Sequence, residues 1–212
     1  MLPGLHVIGA GGHAKVIVEL AYATGRNIAG IYDDQYERHP GVLGYTVTGP
    51  IASLPDTSDT HAIIAVGNNR FRQVIDGRFQ HVTWATLIHP FSWVSPSARL
   101  GPGTVVLAGV VVQAQATLGR HVIANTGCSI DHDCAVGDYV HLAPGSRLAG
   151  GVHLGEGSFL GTKASAIPGI NVGEWSIVGA GAVVSRSLPA NITAVGAPAK
   201  VIKERPTGWQ ND

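Results

Sequence analysis

Three ionisable side chains stand side by side in a stretch of the chain that is otherwise apolar. Asp131, His132 and Asp133 interrupt a run of small and aliphatic residues. A neighbouring carboxylate orients an imidazole ring and raises its affinity for a proton, and a histidine with a pKa near neutrality is a suitable general base. The cluster therefore indicates either a catalytic base with a supporting acid or a polar turn that faces solvent.

The elements that must position this cluster follow a six-residue repeat. From Ile88 to Val184 an aliphatic residue recurs at every sixth position, without interruption, for seventeen positions. Neither the period of an α-helix nor plain alternation fits this pattern, whereas hexapeptide repeats are typical of parallel β-helices. We therefore predict a parallel β-helix in which the aliphatic residue of each hexapeptide points inward.

The register of the repeat gives each residue of the cluster a direction. Ile130 and Cys134 take inward positions, so His132 lies near a turn and points outward, because an unpaired imidazole is costly to bury. Cys128 and Cys134 are one repeat apart at the same inward position. We expect both to be core residues, neither a nucleophile nor a disulfide.

The first 86 residues follow a different pattern and predict a small α/β domain. An apolar strand precedes the turn Gly9–Ala14, which has the spacing G-x-G-x-x-A, and a helix follows it. Such a turn lets a phosphate approach the free N–H groups at a helix N-terminus, although a turn that serves packing alone has the same spacing. A domain this small suits a single nucleotide or a nucleotide diphosphate sugar better than a dinucleotide.

Polar residues follow the next two predicted strands. Asp33 and Asp34 end the second strand, and Asn68 and Asn69 follow the third. Ligands of open α/β sheets bind at the carboxyl ends of the strands, so these side chains are candidates for contacts with a base or a ribose. The alternatives are a polar strand end in solvent and a simple Gly-Asn turn.

Composition and charge argue against several other classes of protein. Lys plus Arg and Asp plus Glu number 14 each, and no basic stripe is present, so nucleic acid is not the expected partner. There is no apolar run of about 18 residues, so no membrane span is predicted. The N-terminus is too short and too rich in glycine for a signal peptide. The expected compartment is the cytoplasm.

Four motifs in this order resemble one family over residues 5–202. They are GAGGHAKVI, the pair DD, the segment AVGNN, and hexapeptide coils that contain NTGCSIDHDCAVGDYVHLAPG. The chain resembles the sugar-nucleotide N-acetyltransferases related to NeuD-type sialic acid O-acetyltransferases, in particular those of the bacillosamine and perosamine type. The resemblance implies a small Rossmann-like α/β domain followed by a left-handed parallel β-helix. It also implies acetyl-CoA as cosubstrate and a homotrimer with active sites between subunits.

The resemblance further implies roles for individual residues. His132 is the expected general base, and Asp133 is its supporting acid, where the family commonly has Glu. Asn125 is expected to contact the sugar. The nucleotide part of the substrate is expected to contact Gly11, Gly12, His13, Asp33, Asp34, Gly67 and Asn68, and acetyl-CoA is expected to contact His141, Gly150, Thr162 and Ala180.

The resulting hypothesis is an acetyl-CoA-dependent N-acetyltransferase that acts by direct transfer on a nucleotide-linked 4-amino-4,6-dideoxyhexose in bacterial surface-glycan biosynthesis. Residues 1–86 would bind the nucleotide sugar, residues 87–190 would form the acyltransferase β-helix, and residues 191–212 would form a C-terminal tail. The alternatives are a sialic acid O-acetyltransferase and a non-catalytic trimeric sugar-nucleotide-binding protein.

Some left-handed β-helix trimers are carbonic anhydrases that hold zinc through a His-x4-His pair. The chain lacks this pair, so no metal is expected.

Overall fold

The computed structural model describes residues 2–209. Met1 and the last three residues of the expected tail, 210–212, lie outside the described residues. The chain divides after Pro90 into two compact units, whereas the sequence placed this boundary after residue 86.

The N-terminal unit is an α/β unit with a parallel sheet. It contains the strands β1 (Leu5–Ile8), β2 (Ile28–Tyr32), β3 (Gly41–Val42), β4 (Tyr45–Thr46), β5 (His61–Ile64), β6 (Thr83–Trp84) and β7 (Leu87–Ile88), the helices α1 (Gly12–Ala23) and α2 (Asn69–Arg78), and a 3-10 turn at Ile51–Ser53. The main sheet has the order β2-β1-β5-β6, and all its pairs are parallel. Since β1 lies between β2 and β5, the segments that follow these three strands meet at one edge of the sheet.

Helix α1 forms because its apolar residues recur on one side. Ala14, Ile17 and Ala21 are buried at the spacing of successive helical turns, and this stripe packs against the sheet. The helix stops before Gly25, whose φ of 70° is a left-handed conformation that ends helices and suits glycine. The strand, glycine turn and helix therefore follow the order that the sequence predicts.

The second unit is a parallel β-helix with three faces. Up to Val184, paired strands lie eighteen residues apart along the chain, as Val105 pairs with Ile123 and His141 pairs with Phe159. The first face carries β10 (Val105–Val106), β13 (Ile123–Ala124), β16 (His141–Leu142), β19 (Phe159–Leu160), β22 (Ile177–Val178) and β24 (Ile192–Val195). The second face carries β8 (Trp93–Val94), β11 (Val111–Val112), β14 (Ser129–Ile130), β17 (Arg147–Leu148), β20 (Ser165–Ala166) and β23 (Val183–Val184). The third face carries β9 (Arg99–Leu100), β12 (Thr117–Leu118), β15 (Ala135–Val136), β18 (His153–Leu154) and β21 (Asn171–Val172).

The core of the β-helix is made of the residues that the six-residue register points inward. Ile130 and Leu142 are completely buried and Leu160 is 1% exposed. Cys128 and Cys134 are free thiols in the same core, and burial raises the pKa of Cys128 to about 12. Neither cysteine is therefore placed to act as a nucleophile, since the thiolate is the reactive form.

The faces of the β-helix meet at three corners, which we number by the face that precedes each of them. The first corner includes residues 125–128, the second corner includes residues 131–134, and the third corner includes residues 137–140. Many corner turns contain a residue with positive φ, and Asp133 takes this conformation with a φ of 59°. Aspartate reaches the left-handed region at lower cost than most residues, because its short polar side chain forms local hydrogen bonds.

The β-helix continues past residue 190, where the sequence placed the start of the tail. Strand β24 pairs in parallel with β22, and its residues Ile192 and Ala194 join the buried core. A final strand, β25 (Lys200–Glu204), pairs with β24 in the antiparallel direction and is exposed along its length. The six-residue register ends at Val184. The coil continues beyond it because Ile192 and Ala194, two residues apart in β24, both point into the core.

Candidate active site

His132 and Asp133 form a hydrogen-bonded pair on the second corner of the β-helix. The Nδ1 atom of His132 lies 2.8 Å from Oδ2 of Asp133, and the two side chains are 62% and 59% exposed. The hydrogen bond to Asp133 raises the pKa of His132, and the charge of Asp131 raises this pKa further. When Nδ1–H donates to the carboxylate, Nε2 of the neutral ring carries the lone pair. This arrangement can accept a proton from a group in solvent.

Neighbouring coils hold the backbone of this corner on both sides. The backbone N–H of Asp133 donates to the carbonyl of Ala114 in the preceding coil, and Gly151 N–H donates to the carbonyl of His132. The carboxylate of Asp131 accepts a further hydrogen bond from the backbone N–H of His132 at 2.8 Å. The imidazole is therefore carried by a turn with fixed backbone geometry.

Gly150 lies against the imidazole ring one coil later. A Cβ atom at this position would lie 2.6 Å from both Cε1 and Nε2 of His132, which is closer than such contacts occur. The absence of a side chain at Gly150 is what leaves room for this orientation of the ring. The structure thus brings together His132, Asp133 and Gly150.

A second group of predicted site residues lies on the first face and the first corner. Asn125 follows β13, and its Nδ2 lies 3.1 Å from Nε2 of His141 in β16. The backbone N–H of Thr126 donates to Oδ1 of Asn125 at 2.8 Å. Phe159 meets the His141 ring edge-on, with the ring centroids 5.2 Å apart. Neither Thr126 nor Phe159 is chemically distinctive in the sequence, and the register alone could have paired Phe159 with His141.

Thr162 and Ala180 lie one coil apart on the first corner, the corner that also carries Asn125. The backbone N–H of Gly181 donates to the carbonyl of Thr162, which ties their coils together. The predicted residues of the β-helix therefore fall into two groups. His132, Asp133 and Gly150 occupy the second corner, whereas Asn125, His141, Thr162 and Ala180 occupy the first face and first corner.

The predicted nucleotide-binding residues meet at the carboxyl edge of the sheet in the N-terminal unit. The backbone N–H of Ala10, within the glycine turn, donates to Oδ2 of Asp33 at 2.6 Å. The other oxygen of Asp33 accepts from the backbone N–H of Gln35 at 2.7 Å. Asp34 accepts from the backbone N–H of Ile51 at 3.0 Å. Both aspartates therefore shape the loops around the edge of the sheet.

The glycine turn has an open side. At Gly11 and Gly12 an added Cβ would have no protein atom within 4 Å, and both residues are exposed. His13 is the second residue of α1, and its pKa is lowered to about 4, first by burial and then by the charge of Arg72. The N-terminus of α1 thus offers backbone N–H groups beside an open surface, which suits a phosphate group, and the imidazole of His13 is neutral at pH 7.

Arg72 is a buried residue of this edge that the sequence interpretation missed. Its side chain is 1% exposed and donates to the carbonyls of Val66 and Gly67 at 3.2 and 3.0 Å. The helical spacing of Arg72 and Ile75 in the sequence could have indicated that Arg72 is buried, because both residues lie with Asp76 on the buried side of α2. The guanidinium fixes the loop that contains Gly67.

Asn68 has a structural role at the start of α2. Its Oδ1 accepts a hydrogen bond from the backbone N–H of Phe71 at 3.0 Å and caps the N-terminus of α2. Its contact with a substrate stays a prediction.

The part of the chain that the structure describes contains no group of three or more His, Cys, Asp or Glu side chains that could hold a metal ion. Over the same residues, 2–209, neither helix combines the length and the apolar character that a membrane crossing needs.

Comparison with known proteins identifies the family. Residues 4–78 match the family described as the PglD N-terminal domain. The whole fold matches PerB from Caulobacter crescentus, solved in complex with CoA and GDP-perosamine, with a TM-score of 0.90 and 43% identity over 96% of this chain and 99% of that one. This chain belongs to the PglD-like family of sugar-nucleotide N-acetyltransferases. This match confirms the family that the sequence resembles. It also confirms the predicted fold class, a small α/β domain followed by a left-handed parallel β-helix.

Two further relatives support the assignment to the PglD-like family. The acetyltransferase domain of PglB from Neisseria gonorrhoeae FA1090, solved with acetyl coenzyme A, matches with a TM-score of 0.88 and 40% identity over 95% of this chain and 100% of that chain. The UDP-N-acetylbacillosamine N-acetyltransferase of Bacillus subtilis (strain 168) is 43% identical over 109 residues, which are 48% of this chain. The chain spans only 50% of the length of that curated relative.

Proposed function

We propose that this PglD-like protein is an acetyl-CoA-dependent N-acetyltransferase that acts on the amine of a nucleotide-linked 4-amino-4,6-dideoxyhexose, a step of bacterial surface-glycan biosynthesis. The observation that carries the proposal is the His132–Asp133 pair, which presents an imidazole nitrogen on an exposed corner. Its support is the PerB structure, which matches nearly the whole chain and holds CoA and GDP-perosamine.

His132 would act as the general base of a direct transfer. The neutral sugar amine attacks the thioester carbonyl of acetyl-CoA, and Nε2 of His132 accepts the amine proton as the C–N bond forms. Asp133 stabilises the resulting imidazolium through Nδ1. The C–S bond then breaks, and the departing thiolate of CoA takes the proton from the imidazolium. Since Cys128 and Cys134 are buried, no acyl-enzyme on either cysteine is proposed.

The N-terminal unit would bind the nucleotide part of the substrate. The open side of the glycine turn and the N-terminus of α1 suit the diphosphate. The edge of the sheet that carries Asp33, Asp34 and Gly67 suits the ribose and the base. Holding the nucleotide in this way would orient the sugar amine for attack, which is a large part of what an enzyme contributes to a two-substrate reaction.

We propose a homotrimer with active sites between subunits as the active form. The support is the separation of the predicted residues into two groups on different parts of the β-helix, with His132 on the second corner and Asn125 on the first. A site between subunits would combine the second corner of one copy with the first corner of its neighbour.

Mixed oligomers test this assembly. His132→Ala and Asn125→Arg should each be nearly inactive alone, because the first lacks the base and the second fills the first corner with a large side chain, while protein refolded or coexpressed as a mixture should regain part of the activity. Recovery is expected because some sites then receive an intact corner from each subunit. Mixtures that stay as inactive as the single variants would contradict a shared site, and a monomer by light scattering would do so directly.

The proposed reaction is tested with acetyl-CoA and a panel of GDP-, UDP- and dTDP-linked 4-amino sugars, with free CoA as the readout. We expect turnover with at least one sugar and loss of about 100-fold or more in His132→Ala, the usual size of a general-base contribution. His153→Ala is the matched control, because His153 is an exposed histidine on the third face. No turnover with any amino sugar, or turnover with sialic acid alone, would reject the proposed acceptor.

A further inference from the structure

The Asn125 side chain lies between a backbone N–H group and an imidazole ring. The backbone N–H of Thr126 donates to Oδ1 of Asn125 at 2.8 Å, and the Thr126 hydroxyl lies 3.4 Å from the same oxygen. A backbone N–H group can only donate a hydrogen bond. This contact therefore settles which end of the Asn125 amide is the oxygen, since a flipped amide would place two donors against each other.

The amide nitrogen of Asn125 consequently faces the ring of His141. Its Nδ2 lies 3.1 Å from Nε2 of His141, and an amide NH₂ group donates two hydrogen bonds and accepts none. Nε2 of His141 must therefore be the acceptor. A neutral imidazole that accepts at Nε2 carries its proton at Nδ1.

The neighbouring strands hold the ring in this position. His141 is half-buried in β16, between Ile123 of β13 and Phe159 of β19 on the same face. The ring planes of His141 and Phe159 are nearly perpendicular, at 88°, and Nδ1 of His141 is buried. The ring therefore presents Nε2 to Asn125 and keeps Nδ1 inside.

We propose that Asn125 is a positioning residue that holds His141 as the neutral Nδ1–H tautomer and so withdraws this second histidine from proton transfer. His132 and His141 then differ in which ring nitrogen is occupied by a hydrogen-bond partner. A carboxylate occupies Nδ1 of His132, so Nε2 carries the lone pair of its neutral ring, whereas an amide donor occupies the Nε2 lone pair of His141. The tautomer is a property of the free protein, and only its consequence for catalysis rests on the proposed function.

The tautomer is measured directly by long-range ¹H–¹⁵N correlation spectra of protein labelled with ¹⁵N-histidine. We expect the His141 signals, assigned through their loss in His141→Gln, to show a protonated Nδ1 and an unprotonated Nε2 at neutral pH. A proton on Nε2 in the wild-type protein would overturn the proposal, whatever the enzymatic activity.

Asn125→Asp is the decisive variant because it keeps the shape of the side chain. One carboxylate oxygen still accepts from Thr126 N–H, and the other now faces Nε2 of His141 as an acceptor. We expect the His141 proton signal to appear on Nε2 in this variant. Asn171→Asp adds the same charge at an exposed position on the third face and should leave the His141 signals unchanged. An unchanged Nδ1–H signature in both Asn125→Asp and Asn125→Ala would show that Asn125 does not set the tautomer.

Kinetics supply the consequence for catalysis. Asn125→Asp and Asn125→Ala should lower kcat/KM for acetyl-CoA by at least about 2- to 10-fold, the effect of losing one hydrogen bond. If no substrate of the panel is turned over, the spectra still decide the tautomer. The failure of the proposed function and the failure of this inference are therefore separate results.

Discussion

At the level of single residues, the surroundings of His132 determine the pH at which it can act as a base. The hydrogen bond to Asp133, followed by the charge of Asp131, raises the pKa of His132, so the ring is protonated, and inactive as a base, up to a higher pH than an isolated histidine. Asp133→Asn should lower this pKa and move the acid limb of kcat/KM to lower pH. It should also lower the plateau roughly 10-fold, because the imidazolium loses its partner.

The Asp131→Asn variant serves as an internal comparison for this prediction. It should shift the acid limb in the same direction by a smaller amount, since the charge of Asp131 is the second cause of the raised pKa. An acid limb that moves to higher pH in Asp133→Asn, or that does not move, would contradict the role of Asp133. Both profiles are measured at subsaturating substrate, so that they report the free enzyme.

Gly150 provides a second prediction about a single residue. Gly150→Ala would place a methyl group 2.6 Å from the His132 ring, and the exposed ring can rotate away at little cost to the fold. We expect kcat to fall by about 100-fold, as for a displaced catalytic group, with a nearly unchanged melting temperature. Gly77→Ala is the matched control, because a Cβ there meets no atom within 4 Å. Full kcat in Gly150→Ala, or a change confined to KM for acetyl-CoA, would contradict a positioning role.

At the level of elements, the turn between β1 and α1 depends on a carboxylate that follows β2. Asp33 accepts hydrogen bonds from Ala10 N–H and Gln35 N–H. Asp33→Asn should destabilise the N-terminal unit by about 1 kcal/mol, since hydrogen bonds to a charged group are the stronger kind and this group is half-buried. Nucleotide affinity, measured by calorimetry with GDP and UDP, should fall because the hydrogen bond between Asp33 and Ala10 N–H, which holds the glycine turn, is weakened.

The exposed Asp59 supplies the control for the turn. Asp59→Asn removes the same charge from the same unit and should change neither stability nor nucleotide affinity. Equal losses in the two variants would mean that net charge, rather than the hydrogen bond to Ala10, accounts for the effect of Asp33→Asn.

Elements differ in how far the sequence predicts them, for physical reasons. The uninterrupted six-residue register predicts that Ile130 and Cys134 point inward and that His132 points outward, because a constant period fixes the direction of every side chain. The same period does not predict where the β-helix ends, since Ile192 and Ala194 lie in the core after the six-residue period has stopped.

Contacts made by tertiary structure are also hidden from the sequence. Arg72 is buried because the carbonyls of Val66 and Gly67 accept from it, although the residue type predicts exposure. The contact between Asn125 and His141 exists because successive coils stack, and neither residue shows it alone.

At the level of the whole molecule, the two compact units have different cores. The β-helix is held by stacked aliphatic residues such as Leu142 and Leu160. The N-terminal unit also buries polar groups, and Arg72 and His13 lie close together at the carboxyl edge of its sheet. Acid should therefore act on the stability of the N-terminal unit through His13.

The direction of this effect follows from the pKa of His13, which is about 4 in the folded chain against an ordinary value of 6.5. Above pH 6.5 the ring is neutral in both the folded and the unfolded states, so the group adds no pH dependence. Between pH 6.5 and 4 the unfolded chain binds the proton more readily, and the folded state loses up to about 3 kcal/mol. Below pH 4 both states are protonated and the loss is complete.

His13→Gln should remove this part of the pH dependence, because a glutamine buried beside Arg72 does not titrate. Urea titrations from pH 7 to pH 4 should show the free energy of unfolding of the wild-type protein falling relative to that of the variant, with a constant difference above pH 6.5. His153→Gln changes an exposed histidine of the β-helix and should follow the wild-type curve. Parallel curves for the wild-type protein and His13→Gln would mean that the fold does not hold His13 neutral. The diphosphate site that we propose at the α1 N-terminus would then carry a charged imidazole rather than a neutral one.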